Sequence, residues 1–292
     1  MNERPQITRA MIDLYDEYTH LTLDRRGFMD KLARLAGSAA AAAAIAPLIA
    51  PSRAAAAIVA DNDPRVVPSA ITYDGKSGPV KAYLVKPANG PAKLPAVVVI
   101  HENRGLNPHI MDVTRRIAVE GFMAMAPDLL SPDGGTPEDE NAAAQLIAKL
   151  NPATTVGNLV AASAHLRGRP DSTGKVGAIG FCWGGGMTNQ LAVHDSELAA
   201  ASVYYGPQPS AADAARIKAK LMLHYAGLDD RVDAGMPAYE AALKAAGVRY
   251  QLFMYAGVNH AFNNDTSSGR YDKPAADLAW SRTIAFLKDA LG

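Results

Sequence analysis

Beyond residue 70 the hydrophobic pattern alternates short apolar runs with amphipathic stretches. The apolar runs predict strands at 71–73, 80–86, 95–101, 122–127, 175–180, 199–205, 221–225 and 250–255. The amphipathic stretches predict helices at 109–120, 138–150, 154–166, 183–193, 235–246 and 274–290. This alternation is typical of one α/β domain, with a mainly parallel sheet covered by helices on both faces. In such sheets the reactive groups gather at the carboxyl ends of the strands.

The first 57 residues have a different pattern, which resembles a twin-arginine export signal. Within the segment 22–31, Arg25 and Arg26 precede Phe-Met, and the alanine-rich run 35–50 leads to an A-x-A type cleavage site near Ala56 or Ala57. We therefore expect a signal over 1–57 and one α/β domain over 58–292. We also expect a precursor that meets the twin-arginine export machinery, and a periplasmic or secreted mature protein. The alternative is a retained amphipathic helix on a cytoplasmic protein. Helical spacing of the early apolar residues favours this alternative: Ile7, Met11, Leu14, Tyr15 and Tyr18.

Composition narrows the function classes. The chain has 292 residues, 49% of them hydrophobic, which suits one large domain with a sizeable core. Its 29 basic and 29 acidic residues balance, so charge gives no reason to expect nucleic acid or an anionic membrane as a partner. The single cysteine excludes an internal disulfide.

That cysteine, Cys182, lies in a G-x-C-x-G turn between a predicted strand and a glycine-rich helix start. This is the pattern of a nucleophile elbow, in which the central residue has a strained backbone. A side chain at Gly180 or Gly184 would collide with the neighbouring strand or helix. The start of the helix carries partial positive charge, which stabilises the thiolate that attacks carbonyl carbons. The alternative is a buried apolar cysteine in an ordinary strand-to-helix turn.

Two further strand ends supply partners for Cys182. Asp229 follows the strand at 221–225, and His260 follows the strand at 250–255. Nucleophile, acid and base in this order are the order of the hydrolase triad built on such an elbow. We expect His260 to take the thiol proton and Asp229 to fix the tautomer of its ring. Asp230 competes for the acid role, but Asp229 comes first in the turn.

The fourth part of the predicted catalytic site is the loop at 101–105, at the end of the strand predicted at 95–101. In this arrangement it lends a backbone N–H, here of Asn103, to an oxyanion hole shared with the N–H of Trp183. Glu102 is unusual there, because a carboxylate near a thiol raises the pKa of that thiol and keeps it protonated until needed. No group of histidine, cysteine or acidic residues has metal-ligand spacing, so no metal site is expected.

Together these motifs resemble the dienelactone hydrolase family of α/β-hydrolases. The resemblance runs from about residue 70 to the end and rests on 99–106, 126–129, 180–185, 227–229 and 260–262. It implies a Cys182, His260 and Asp229 triad with Glu102 as an extra carboxylate beside the thiol. It also implies hydrolysis of a small ester or lactone without metal or organic cofactor. A hydrolase-fold protein with a redox-sensing or ligand-binding cysteine is the alternative.

The chain departs from that family in its substrate site. The founding enzymes hold a substrate carboxylate with two arginines, and the corresponding places here hold residues 131–132, Ser-Pro, and 263–264, Asn-Asn. Arg104 is the first candidate to replace them, and Arg231 and Arg270 are others. Without the clamp, neutral short-chain esters or lactones are expected to be better substrates than anionic ones.

Overall fold

The computed structural model describes residues 6–20, 23–52, 55 and 57–292 of the chain. The predicted α/β architecture is confirmed, because one eight-stranded, mainly parallel sheet is flanked by helices. The strands are β1 (Val66–Gly75), β2 (Gly78–Pro87), β3 (Leu94–Ile100), β4 (Met123–Pro127), β5 (Ser172–Phe181), β6 (Ala200–Tyr204), β7 (Lys220–Ala226) and β8 (Tyr250–Tyr255).

The order of strands across the sheet is β1-β2-β4-β3-β5-β6-β7-β8. The first two strands form an antiparallel hairpin, and β2 also runs antiparallel to β4. The remaining neighbours are all parallel. The carboxyl ends of β3 and β5 to β8 therefore meet at one edge of the sheet, where the chemistry predicted from the sequence lies.

Helices cover the sheet at the predicted places. They are α4 (Pro108–Val119), α5 (Glu140–Ile147), α6 (Pro152–Gly168), α7 (Trp183–His194), α8 (Ala211–Ala214), α9 (Asp230–Asp233), α10 (Met236–Ala245) and α11 (Lys273–Leu291). The two four-residue helices α8 and α9 were not predicted, because one turn of helix is too short to show a period. Asp229 caps the start of α9 through a bond from the Val232 N–H.

The apolar core lies on both faces of the sheet. All the residues of β4 and β6 are buried, and β3 is buried over most of its length, which explains their continuous apolar runs. Alternate residues of β3 point to opposite faces of the sheet. Val98 belongs to the apolar cluster on one face, and Val97 belongs to the cluster on the other face. The sheet is thus rigidly packed beneath the loops at its carboxyl edge.

The N-terminal residues fold into three helices, α1 (Arg9–Thr19), α2 (Arg25–Ala36) and α3 (Ala39–Ile49), which we call the N-terminal cap. The cap has an apolar cluster of its own, formed by Met11, Leu14, Tyr15, Phe28, Leu32, Ala42, Ile45 and Ile49. No single helix of the described chain is long and apolar enough to cross a membrane, and α2 and α3 would reach that length only as a pair bent by 110°.

The cap joins the sheet domain at residues 58–59. The backbone N–H groups of Ile58 and Val59 both donate to the carboxylate of Asp112 on α4. The chain is thus anchored to the sheet domain from residue 58 onward. Ala56, one of the two predicted cleavage positions, and Thr22, which begins the predicted signal motif, lie outside the described residues. Cleavage and export therefore stay predictions.

Candidate active site

The turn between β5 and α7 holds Cys182 in a strained backbone conformation. Its φ of 55° and ψ of −119° are rarely adopted by a residue with a side chain. A Cβ at Gly180 would come within 2.2 Å of the carbonyl oxygen of Gly184 in helix α7. A Cβ at Gly184 would come within 2.3 Å of the carbonyl oxygen of His101, just past β3. The collisions predicted from the sequence are confirmed on both sides of the elbow.

Cys182 lies at the positive end of helix α7. Trp183 is the first residue of that helix, so its backbone N–H has no acceptor within the helix. β3 pairs directly with β5, which brings the loop that carries Asn103 beside the elbow. The two predicted oxyanion-hole residues, Trp183 and Asn103, thus come from neighbouring strand ends. The arrangement suits a carbonyl oxygen that gains negative charge next to the sulfur.

His260 and Asp229 form a buried pair next to the elbow. Nδ1 of His260 lies 2.5 Å from Oδ2 of Asp229, and both side chains are at most 5% exposed. Asp230 points elsewhere, because its carboxylate accepts from Arg9 of the cap and is 88% exposed. The structure therefore places Asp229, and not Asp230, against the histidine. This contact fixes the tautomer of His260, and Nε2 is buried without a hydrogen-bond partner among the described residues.

The sulfur of Cys182 and a ring nitrogen of His260 lie within 4.8 Å of each other. Burial alone would raise the pKa of the thiol, but the imidazoles of His260 and His20 outweigh burial and lower that pKa to about 6. Burial alone would lower the pKa of His260, but Cys182 and Asp229 raise it well above its usual value. Together these shifts favour a thiolate and imidazolium pair. The protected thiol expected from Glu102 is not favoured, because the pKa of Cys182 is lowered and not raised.

Glu102 is buried in the same place, and its carboxylate has a partner that was not predicted. Oε2 of Glu102 accepts a hydrogen bond from Nδ2 of Asn264 at 2.8 Å. Asn264, at one of the places where the family resemblance led us to look for an arginine, orients Glu102 and offers no positive charge. Neighbouring Asn263 is also buried.

Arginines reach the site from other places. Arg104 and Arg270 are 5% and 7% exposed and line the small cavity beside Cys182. Both guanidinium groups have partners within the protein. That of Arg104 donates to the carbonyl oxygen of Glu140 and lies 3.5 Å from the hydroxyl of Tyr15. That of Arg270 pairs with the carboxylate of Asp16 in the cap at 3.3 Å. Arg104 was the predicted substrate-binding residue, and the structure places it at the cavity with Arg270 as a second guanidinium.

The cap contributes a histidine that sequence reasoning missed. Nε2 of His20 lies 3.9 Å from Sγ of Cys182, and its ring packs edge-on against that of His260 at 5.7 Å. Nδ1 of His20 lies 2.6 Å from the carbonyl oxygen of Asp16, and this contact fixes the ring. The carbonyl oxygen of Thr19 accepts from Nδ2 of Asn103 at 2.6 Å. The helical spacing in 7–18 predicted a helix, but nothing in it indicated where that helix would dock.

His20, Cys182 and His260 each direct one possible ligand atom to the same point, and these atoms lie within 4.8 Å of one another. The guanidinium of Arg231 donates to Nε2 of His20 at 3.0 Å. A cation at this point would be repelled by that positive group. The electrostatics of the cluster therefore do not favour a metal ion.

Comparisons with known proteins agree with this geometry. The model of the "Dienelactone hydrolase family" matches residues 80–291. The chain is 33% identical to the "Putative carboxymethylenebutenolidase" of Saccharolobus solfataricus, over 75% of this chain and 97% of that protein. A protein of the same name from Escherichia coli K12 is 27% identical over 80% of this chain and 91% of its own length. Among solved structures, a "Putative Dienelactone Hydrolase" from Klebsiella pneumoniae is 26% identical with a TM-score of 0.68, covering 76% of this chain and 98% of that one. The family match begins after the N-terminal cap.

Proposed function

Because the chain belongs to the dienelactone hydrolase family and is a hydrolase acting on an ester or lactone, we propose that it uses Cys182, His260 and Asp229 as a catalytic triad through an acyl-enzyme. The observation that carries this proposal is the buried His260 and Asp229 pair, 2.5 Å apart, beside a cysteine on a strained elbow. A cysteine that served only redox sensing or ligand binding would not need that pair. The substrate is proposed to be a small ester or lactone.

The first half of the reaction forms a thioester. The thiolate of Cys182 attacks the carbonyl carbon of the ester, and the N–H groups of Trp183 and Asn103 bind the resulting oxyanion. The tetrahedral intermediate collapses, the bond to the leaving oxygen breaks, and imidazolium His260 gives its proton to that oxygen. The acyl group then remains on sulfur, and the alcohol leaves. A lactone follows the same steps, with the alcohol still tethered to the acyl chain.

The second half regenerates the thiolate. Neutral His260 takes a proton from a water molecule, whose oxygen attacks the thioester carbon. The carbon–sulfur bond breaks, the carboxylic acid is released, and the proton on His260 again pairs with the thiolate. Asp229 holds the ring and stabilises its positive charge in both halves. Glu102, positioned by Asn264, is proposed to assist proton transfer near the sulfur when substrate displaces its present contacts.

The triad proposal is tested with p-nitrophenyl acetate and variants of the chain that has been cut after Ala57. We expect Cys182→Ala to abolish turnover and His260→Ala to reduce kcat by roughly 10²–10⁴. The matched control is His194→Ala, because His194 is exposed and its ring bonds, among the described residues, to the carbonyl oxygen of Gln190 in its own helix. Iodoacetamide should modify Cys182 and remove activity in parallel. Undiminished turnover in Cys182→Ala would contradict the assignment.

We also propose that the protein is exported through Arg25 and Arg26. The support is the order of the segment in the sequence: twin arginines, an alanine-rich run and a small-residue cleavage site. Replacing both arginines by lysine should leave precursor in the cytoplasm, whereas the wild-type chain should yield a mature protein that begins near Ala57 or Ile58. N-terminal sequencing of the native protein measures this. An intact N-terminus would favour a retained cap.

A further inference from the structure

Four residues of the proposed active site each contact the N-terminal cap: Cys182, Asn103, Arg104 and Arg270. Arg270 pairs with the carboxylate of Asp16, and the ring of Tyr15 lies under the same guanidinium at 4.9 Å. The other three contacts join Arg104 to the hydroxyl of Tyr15, Asn103 to the carbonyl oxygen of Thr19, and Cys182 to His20. The cap thus places a carboxylate against Arg270 and a backbone carbonyl oxygen against the side-chain amide of Asn103, beside the sulfur of Cys182.

The cap also fills the space in front of the nucleophile. The cavity beside Cys182 and His260 has a volume of only about 20 Å³, and Tyr15, Thr19 and Pro51 form its N-terminal wall. A cavity of this size holds about one water molecule. A reacting carbonyl carbon must come within about 3–3.5 Å of the sulfur, and Nε2 of His20 already lies 3.9 Å from that sulfur. An ester therefore cannot reach Cys182 while the cap is in place.

The interface between the cap and the hydrolase domain has the character of a separable contact. The apolar residues of the cap pack mainly in their own cluster. Its contacts with the rest of the chain are mostly hydrogen bonds and ion pairs, such as Arg9 with Asp230, Tyr18 with Asn141, and Ser267 with the carbonyl of Ile49. Interfaces of this polar kind permit relative motion of the parts. The cap can therefore leave without opening the core beneath it.

We propose that the N-terminal cap is an autoinhibitory element, which keeps the uncut chain latent until the cap is displaced or removed. This inference rests on the proposed ester hydrolysis at Cys182. If residues 1–57 are the export signal, cleavage near Ala57 both matures the protein and uncovers its nucleophile. The chain would then carry no ester-hydrolysing activity in the cytoplasm and acquire it on export.

The test uses the fact that Cys182 is the only cysteine of the chain. The rate of its reaction with iodoacetamide reports whether the site is open, and kcat/KM for p-nitrophenyl acetate reports turnover. Asp16→Ala in the full chain removes the carboxylate that holds Arg270, so we expect both quantities to rise about ten-fold, the value of one charged hydrogen bond. The matched control is Lys31→Ala, which removes an ion pair with Glu17 inside the cap and should change neither quantity.

A second arm does not depend on the folding of a point variant. A protease site inserted after Ala57 in the full chain allows the folded protein to be cut, and both quantities should again rise. Faster alkylation without any ester turnover would support the cap and contradict the proposed function. Turnover in the intact chain that neither Asp16→Ala nor cutting increases would support the function and overturn the autoinhibitory cap. An unchanged alkylation rate in both arms would also overturn it.

Discussion

The N-terminal cap and the hydrolase domain are stabilised by different forces, although both contain buried helices. In the hydrolase domain, eight strands share one hydrogen-bonded sheet, with a large apolar cluster on each face. The cap has one cluster of eight buried residues and meets the domain through charged and polar side chains. Burial of apolar area is the main favourable term in folding, and exposed ion pairs add little. The domain should therefore be stable by itself, and the cap should separate from it at a smaller cost than unfolding of the domain.

The difference explains where the chemistry can be regulated. The elbow, the Asp229 and His260 pair and the loop at 101–105 all belong to the sheet edge, so the geometry of the proposed triad does not depend on the cap. The cap touches the outer side of that geometry through Tyr15, Asp16, Thr19 and His20. A weakly held element over a strongly held site can gate access without altering the reaction itself.

The largest expected effect comes from the same substitution made in each region. Leu223 in β7 and Leu32 in α2 are both fully buried. Leu223→Ala should reduce the free energy of unfolding of the hydrolase domain by about 2–5 kcal/mol, because it leaves a cavity in the main core. Leu32→Ala should instead loosen the cap, leaving the main transition unchanged and accelerating alkylation of Cys182.

For both variants, the free energy of unfolding is measured by urea titration with far-UV circular dichroism. The rate of alkylation of Cys182 is measured with iodoacetamide. Loss of hydrolase-domain stability in Leu32→Ala, comparable with that in Leu223→Ala, would show that the two regions unfold as one cooperative unit. The cap would then not be separable from the hydrolase domain.

A smaller effect is expected in the pH dependence of alkylation, which separates the electrostatic roles of the two regions. The thiolate is the reactive form, so the rate should be lost only as the pH falls through the lowered pKa of Cys182, about 6. His260→Ala removes the larger stabilising charge, and the midpoint should move upward, towards the usual cysteine range. His20→Ala should move it upward by less. A larger shift in His20→Ala would mean that the cap, and not the triad, sets the charge on the sulfur.

The smallest expected effect concerns the substrate. The sequence alone predicts a preference for neutral esters, but Arg104 and Arg270 line the cavity, and Arg270 already holds the carboxylate of Asp16. We therefore expect the opened enzyme to prefer a lactone acid over its methyl ester by about ten-fold in kcat/KM, through one charged hydrogen bond. Arg270→Gln should abolish the preference, and Arg231→Gln should not. A preference for the methyl ester would restore the expectation from the sequence.

The sequence by itself determined much of the hydrolase domain. Apolar runs such as 95–101 and 175–180 located the strands because burial on both faces removes every polar position from a central strand. The glycines around Cys182 identified the elbow because only residues without a Cβ fit there. Position along the chain predicted that Cys182, Asp229 and His260 lie close together, since reactive side chains at strand ends share one edge of a parallel sheet.

Only the tertiary structure decided what surrounds that triad. Local periodicity predicted helix α1, but docking of His20 against Cys182 joins residues 162 positions apart. The same separation divides Asn264 from Glu102, and Arg270 lies 254 positions from Asp16. Side-chain spacing reports which face of an element is apolar and not which surface it meets, because packing partners are selected by the shape and charge of the whole fold. The closed state of the site therefore became visible only when the first and last parts of the chain were brought together.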